Sequence, residues 1–287
     1  MNYELFRIFV GEMDYTINIK GRLVDLSEPQ VMGILNVTPD SFFAGSRKQS
    51  EQEITKRARQ IADEGATMID IGGCSTRPNA ELPTEAEEME RLRFGLTIVR
   101  HELPEFVVSV DTFRPDVARM AVEEFGADII NDVGVPADCQ PQPATCRQNM
   151  FRMVSRLRTP YILMSTKPTL YDMLICFADE IQQLRDLGQK DIILDPGFGF
   201  GKTREQNFEV LRRMEQLQVM ELPILAGISR KSMIFKTLDT TPDNALNGTT
   251  VLNTVALQKG TNILRVHDVK EAVECIKLTK LCFLNSD

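Results

Sequence analysis

The chain has no surplus of positive charge. Its 33 lysines and arginines are outnumbered by 41 aspartates and glutamates, for a net charge of −8. That balance excludes nucleic acid as a main partner, and it requires any anionic ligand to be held by a local cluster of cations. No apolar run reaches the roughly 18 residues needed to cross a bilayer, so no membrane span is expected. Histidine is scarce, with two in 287 residues. None of the six cysteines (Cys74, Cys139, Cys146, Cys176, Cys275 and Cys282) stands in a CxxC pair or in a metal-ligand cluster. Reduced thiols are the expected state. The stretch MNYELFRIFVGEMDY lacks a basic region followed by an apolar one, so no signal peptide is expected and the expected compartment is the cytoplasm.

What is present is a rhythm. Eight short β-rich runs recur: VMGILNV (31–37), TMIDIGG (67–73), FVVSVDT (106–112), DIINDV (128–133), YILMS (161–165), DIILDPG (191–197), PILAGIS (223–229) and NILRVHD (262–268). Helical periodicity fills the intervals, over 51–65, 84–101, 115–126, 148–158, 171–188, 204–218, 244–259 and 269–282. Eightfold strand–helix alternation predicts an α/β protein, a closed parallel (β/α)8 TIM barrel. The length suits one barrel of about 250 residues plus decorations. The runs are β-branched and nearly continuous, as strands covered on both faces should be. Two short strands within 5–26 predict a hairpin that plugs the N-terminal face. The expected organisation is a single domain, with residues 1–30 as hairpin extension and 31–282 as barrel. The segment 134–147 (GVPADCQPQPATCR) reads as a long irregular loop.

Barrel active sites form at the C-terminal ends of the strands, and those ends supply Asn36, Arg77, Asp111, Asn131, Asp195, Lys231, Arg265 and His267. In NVTPDSFF (36–43), the Asn36 side-chain carbonyl suits a magnesium ion that keeps waters and substrate oxygens as its other ligands; a capped turn is the structural alternative. GGCSTRPNA (72–80) offers two glycines for close approach, two hydroxyls and an arginine able to clamp phosphate, though a loop arginine is often only solvated. Asp111 and Asp195 present paired acceptors suited to the N–H donors of an amino-pyrimidinone ring, and Asn131 can match a mixed donor–acceptor edge. Asp132 reads as a structural cap or pair. Lys231, in SRKS (229–232), starts a helix after the seventh strand, where barrels often bind phosphate. Strand alternation puts Arg265 and His267 on one face of RVHD (265–268). Together these groups predict a ring that grips a polar heterocycle and an anion.

Seven stretches, in order, carry a specific resemblance: MGILNVTPDSF (32–42), GATMIDIGGCSTRP (65–78), SVDT (109–112), GADIINDV (126–133), DPGFGFGK (195–202), GISRKSMI (227–234) and RVHDV (265–269). The chain resembles the dihydropteroate synthases, pterin-binding barrel enzymes of folate biosynthesis, over essentially the whole barrel. The resemblance implies a transferase that joins 6-hydroxymethyl-7,8-dihydropterin diphosphate to 4-aminobenzoate with Mg2+, releasing diphosphate, and a sulfonamide target. It implies that Asp111, Asn131, Asp195 and Lys231 hold the pterin. Asn36 through Mg2+, with Thr76, Arg77, Arg265 and His267, would hold the diphosphate. Phe42, Thr76, Pro78, Phe200 and Ser232 would line the aminobenzoate site, under loops 36–48 and 73–83. Asp111, Lys231, Arg265 and His267 would carry the catalysis, and a homodimer through barrel helices is implied.

The chain departs from the family pattern at Cys74, where the family usually has Glu, and at Ser165, where it usually has His. The segment after the fifth strand (166–180) is shorter than usual, and 134–147 is longer. These departures motivate a second reading, a catalytically weak pterin-binding paralogue. A third is a pterin-barrel methyltransferase, which shares the Asp/Asn grip but has no need of NVTPDSF, STRP or RVH.

Overall fold

The computed structural model describes residues 15–37, 47–74, 82–134 and 143–283. The hairpin is formed by β1 (Thr16–Ile19) and β2 (Arg22–Asp25), antiparallel, with Ile19 opposite Arg22. Its two-residue turn places Lys20 at φ 51° and Gly21 at φ 87°, the doubly left-handed geometry that matches the twist of hairpin strands. The expected hairpin spanned 5–26; residues 5–14 lie outside the described residues.

All eight predicted strand runs form strands. They are β3 (Gln30–Asn36), β4 (Met68–Gly72), β5 (Val107–Asp111), β6 (Ile129–Asp132), β7 (Tyr161–Met164), β8 (Ile192–Asp195), β9 (Leu225–Ala226) and β10 (Ile263–Val266). They run parallel in the spatial order 8-7-6-5-4-3-10-9, and a further parallel bridge, Leu194 to Ile224, joins the two ends. The result is a (β/α)8 barrel. Between the strands lie α1 (Arg47–Asp63), α2 (Glu85–Glu102), α3 (Pro115–Phe125), α4 (Pro143–Leu157), α5 (Leu170–Asp186), α6 (Arg204–Arg212), α7 (Ser232–Phe235), α8 (Leu246–Gln258) and α9 (Val269–Phe283). Two stretches differ from the sequence expectation. Residues 143–147, expected in a loop, open α4 with Pro143 in its first turn, where a missing N–H costs nothing. The helix expected over 204–218 ends at Arg212 and continues as a 3₁₀ turn over Met214–Met220.

Two apolar layers follow from the period-2 alternation of the strands. Outward residues such as Ile69, Ile71, Val108, Val110 and Leu163 pack under the helices. Inward residues at the strand starts form a floor: Met32, Met68, Val107, Ile129, Ile162, Ile193, Leu225 and Ile263, one from each strand. Ile17, Ile19 and Leu26 seal that floor from below, as the hairpin reading expects. Apolar packing therefore closes the bottom of the barrel, and polar inward residues are left for the top.

Candidate functional site

Strand register puts three of the expected residues, with Gly72 between two of them, on one row. Asn36 pairs with Gly72, Gly72 with Asp111, and Asp111 with Asn131. The row crosses β3 to β6 at the C-terminal end of the barrel. Gly72 leaves a gap between its neighbours: a Cβ built there would lie 3.5 Å from Asn36 Oδ1 and 3.8 Å from Asp111 Oδ2.

One turn of the pleat below, Asp70 and Ser109 pair across β4 and β5, and Arg265 reaches Asp70 from β10. The Arg265 guanidinium donates from Nε to Asp70 Oδ2 at 2.6 Å and from Nη2 to Asp111 Oδ2 at 2.9 Å. Asn131 Nδ2 also donates to Asp70 Oδ2, at 3.0 Å. Asp70 and Asn131 are fully buried. Three buried atoms here have no hydrogen-bond partner: Asp70 Oδ1, Asn131 Oδ1 and Ser109 Oγ. Buried polar atoms are ordinarily satisfied, so acceptors left over inside a barrel mouth mark a place where a donor-bearing ring fits.

The electrostatics follow from burial. Desolvation pushes the Asp111 carboxyl up to about 7; Asp70 and Glu88 add to the rise while Arg265 and Lys231 oppose it. Asp195 is raised by burial as well, although its Oδ1 accepts the Gly197 N–H at 2.7 Å. Burial, then Arg265, lower the Lys231 ammonium to about 8 against the pull of Asp195 and Asp111. Burial would lower Arg265 too, but Asp70 and Asp111 raise it above its ordinary value. Three carboxylates and two cations thus share one desolvated mouth, the setting in which shifted titrations mark function.

At the cationic end, Lys231 precedes α7 and its Nζ sits 4.2 Å from the centre of the Phe200 ring, a cation–π contact. Gly199 makes room for it: at φ 80°, a Cβ there would meet Lys231 Cδ at 3.1 Å. Ser232, exposed, begins α7. His267 Nδ1 lies 3.0 Å from Ser229 Oγ, and the His267 N–H donates to that same oxygen at 3.2 Å. The Nδ1 contact suits donation in either direction; with the hydroxyl as donor, the ring proton sits on Nε2. Partial desolvation, with Arg265 next, pushes the imidazole down to about 4, so the free ring is neutral at pH 7.

The structure therefore brings together Asn36, Asp111, Asn131, Asp195, Lys231 and Arg265, with Phe200, Ser232 and His267 at the mouth. Phe42, Thr76, Arg77 and Pro78, and most of segments 36–48 and 73–83, lie outside the described residues. Asp132 faces the other way. Its Oδ2 accepts from the Tyr161 hydroxyl at 2.5 Å, Arg147 lies 3.5 Å away, and its Oδ1 caps the Gly134 N–H, the structural role expected of it. Sequence reading missed Asp70, Ser109, Ser229 and Lys202. The first two were within reach, since Asp70 shares its face with Met68 and Gly72, and Ser109 shares its face with Asp111. Lys202 was not: its Nζ donates to the carbonyls of Ser165, Gly197 and Phe200 at 3.0, 3.0 and 3.1 Å, and burial brings its ammonium down to about 8.

For a metal, no group of three or more His, Cys, Asp or Glu able to hold an ion occurs among the described residues. The donors fit a magnesium ion that arrives with a polyphosphate. Such an ion needs only one or two protein oxygens, and Asn36 Oδ1 at the Gly72 gap offers one.

Residues 32–267 match the model of a family described as pterin binding enzymes. The chain is 36% identical over 267 residues to dihydropteroate synthase of Escherichia coli strain K12, covering 91% of this chain and 94% of that protein. Solved structures agree. Dihydropteroate synthase of Xanthomonas albilineans with 4-aminobenzoic acid superposes with a TM-score of 0.84 at 32% identity, over 95% of this chain and 100% of that one. The Yersinia pestis enzyme in a sulfonamide drug complex gives 0.80 at 33% identity, over 93% and 98%. A match that spans every strand of the barrel from β3 to β10, at this identity and coverage, assigns the protein: the chain belongs to the pterin binding enzyme family.

Proposed function

We propose that the protein is a dihydropteroate synthase, joining 6-hydroxymethyl-7,8-dihydropterin diphosphate to 4-aminobenzoate. The observation that carries the reading is the pairing of two unlike ends in one mouth. The inner end holds unpaired acceptors on Asp70 and Asn131 beside the carboxylates of Asp111 and Asp195. The outer end holds Arg265 and His267, with Lys231 beside Asp111 and Asp195 at the ring's end. The first suits the amide and amine N–H groups of a pterin, and the second suits a diphosphate.

The reaction breaks the bond between the pterin methylene carbon and the diphosphate oxygen, whose electron pair leaves with the diphosphate. The aminobenzoate nitrogen then bonds to that carbon and loses a proton. An arylamine is neutral and nucleophilic at pH 7, so no residue need activate it. The demand is on stabilising a highly charged leaving group. Arg265 is already charged and oriented by Asp70 and Asp111. His267 would add a ring N–H to the anion, while Lys231, poised on Phe200, would hold the pterin. Arg77 is assigned to the same anion from the sequence. Magnesium, held by Asn36 and the diphosphate's own oxygens, would supply further neutralisation. Ionised Asp111 and Asp195 would steady positive charge that develops on the pterin. Phe200 and Ser232, with Phe42, Thr76 and Pro78, would flank the aminobenzoate.

We also infer a homodimer through α8 and α9. Val251, Leu278 and Leu281 are 53%, 65% and 76% exposed there, beside a groove of about 830 Å³ lined by both helices.

A steady-state assay of diphosphate release tests the function. Release is expected only with both substrates and a divalent cation, with dihydropteroate formed in equal amount. Pterin binding without release would leave a binding protein and sink the reading.

A further inference from the structure

One cation that the chemistry does not use closes the loop after β8. From Gly197 to Lys202 the chain turns on Gly197, Gly199 and Gly201, at φ 65°, 80° and 62°, in the left-handed region that only glycine occupies freely. A Cβ on Gly197 or Gly201 would also collide with the carbonyl oxygens of Ser165 and Thr166, which follow β7. Such a stretch is costly to order, because glycine loses more freedom on folding than any other residue. Lys202 gathers it. Its Nζ donates to the carbonyls of Ser165, Gly197 and Phe200 at 3.0, 3.0 and 3.1 Å, so all three ammonium hydrogens are engaged.

What rests on this loop is the ring end of the site. The Gly197 N–H donates to Asp195 Oδ1 at 2.7 Å. The Lys231 side chain lies along the loop, its Cδ against Gly199 and its Nζ 4.2 Å from the centre of the Phe200 ring. A lysine carries its charge on a flexible four-carbon stem, so the surface beneath that stem decides where the ammonium sits. Asn207 holds the middle of the loop, accepting the Gly199 N–H at 2.7 Å and donating to the Thr203 carbonyl at 2.7 Å. Lys202 ties the loop to the residue after β7. An apolar side chain there would avoid desolvating an ammonium, but it would leave three carbonyls without their donor.

We propose that Lys202 is a positioning residue for the ring end of the site: by gathering three carbonyls it fixes the loop on which Phe200 and Lys231 meet, and so sets where the Lys231 ammonium is presented to a pterin. The proposal rests on reading that end as the pterin site. It differs from a general stabilising role, because loss of the tie should spare the diphosphate end, which is built on β3 and β10.

Methionine is unbranched like lysine and carries no donor, so Lys202→Met removes the three bonds and keeps the stem. Asn207 still holds the loop, and the variant is expected to melt cooperatively as the wild type does. Should it not, Lys202→Gln, which keeps two donors, is measured in its place. Calorimetry would compare 6-hydroxymethylpterin, which has the ring and no diphosphate, with inorganic diphosphate and Mg2+. Pterin affinity should fall by roughly tenfold or more in Lys202→Met, with diphosphate affinity unchanged. Combined with Lys231→Ala, the loss should be smaller than the two single losses together, since one residue acts through the other. Without any ligand, the Lys231 Cε protons should resonate upfield in the wild type, in the ring current of Phe200, and move to the position of a free lysine in Lys202→Met. Wild-type pterin affinity and an unchanged Lys231 signal in the variant would overturn the proposal. So would equal loss of pterin and diphosphate, which would make Lys202 merely structural. A wild type that binds no pterin would instead refute the functional reading, and the Lys231 signal would then decide the positioning by itself.

Discussion

Asp111 and Arg265 share a contact but respond differently to replacement. Asp111 titrates at 3.8 when free and is pushed up to about 7 in the fold. Between those values the native state holds more protons than the unfolded one, so stability falls as pH rises from about 4 to about 7. Lys231, lowered from 10.5 to about 8, has the opposite limb, and stability recovers as pH rises from about 8 to 10.5. Asp111→Asn should therefore flatten the acid limb, leaving the fall due to Asp195 and the opposing rise due to His267 between about 4 and 6.5, while weakening pterin binding by ~1.5–3 kcal/mol. Melting curves taken from pH 4 to 8 check this, and an equally steep slope in the variant would show that the carboxyl is not destabilised by burial. Arg265→Ala has a different cost. It leaves Asp70, fully buried, with no counter-ion, and losing one partner of a buried pair typically costs about 3–5 kcal/mol. Arg265 variants should thus melt well below the wild type. A melting point unchanged by Arg265→Ala would mean that Asp70 is held by something other than this pair.

At the scale of elements, the end of β4 is tied to the start of α2 and to the residues after β5 through Glu88. That carboxylate is fully buried; it accepts from the Thr112 hydroxyl at 2.7 Å and pairs with Arg114, whose Nη2 donates to the Pro83 carbonyl at 2.6 Å. Arg91 adds a bond to the Gly73 carbonyl at 3.1 Å. Cys74 sits beside Glu88, and burial with that neighbouring charge raises its thiol far above the ordinary range. Cys74 is therefore a neutral neighbour for a buried anion. The resemblance suggests Glu as the usual residue at this position, yet in this chain Cys74→Glu would set a second carboxylate against Glu88 with one guanidinium between them. The expected result is destabilisation by about 1–3 kcal/mol, against almost none for Cys74→Ser. Urea midpoints of the two variants measure it. A Cys74→Glu midpoint at or above the wild type would sink this account of the cluster.

For the whole molecule, the apolar floor and the helical exterior make separate predictions. Ile17, 1% exposed, comes from the hairpin but packs with residues of the barrel strands. Ile17→Ala should cost about 2–5 kcal/mol, with substrate affinity unchanged because the site lies at the opposite end. Loss of less than about 1 kcal/mol in a denaturant titration would make the hairpin an ornament rather than a plug. Leu278 lines the groove between α8 and α9, and Leu278→Glu should give a folded monomer by analytical ultracentrifugation. A wild type that sediments as a monomer would remove the dimer.

The sequence by itself determined the barrel, because alternating strand and helix runs give a parallel sheet and eight of them are the number that closes into a barrel. Their places at the ends of strand runs then marked Asp111, Asn131 and Asp195 as candidates for the mouth. Residue chemistry at strand ends pointed to a heterocycle and an anion before any distance was known. Tertiary structure decided what depends on partners far apart in the chain. Arg265 meets Asp70 from 195 residues away, and Arg230 meets Asp268 from 38, so neither pair has a local signature. Nothing local marks Asp70 as the partner of an arginine on the last strand. Nor does the local sequence mark Lys202 as the meeting point of three carbonyls. A motif names the groups that can do chemistry, and only closure of the barrel fixes which charges offset one another inside it, because burial makes each charge depend on its nearest partner.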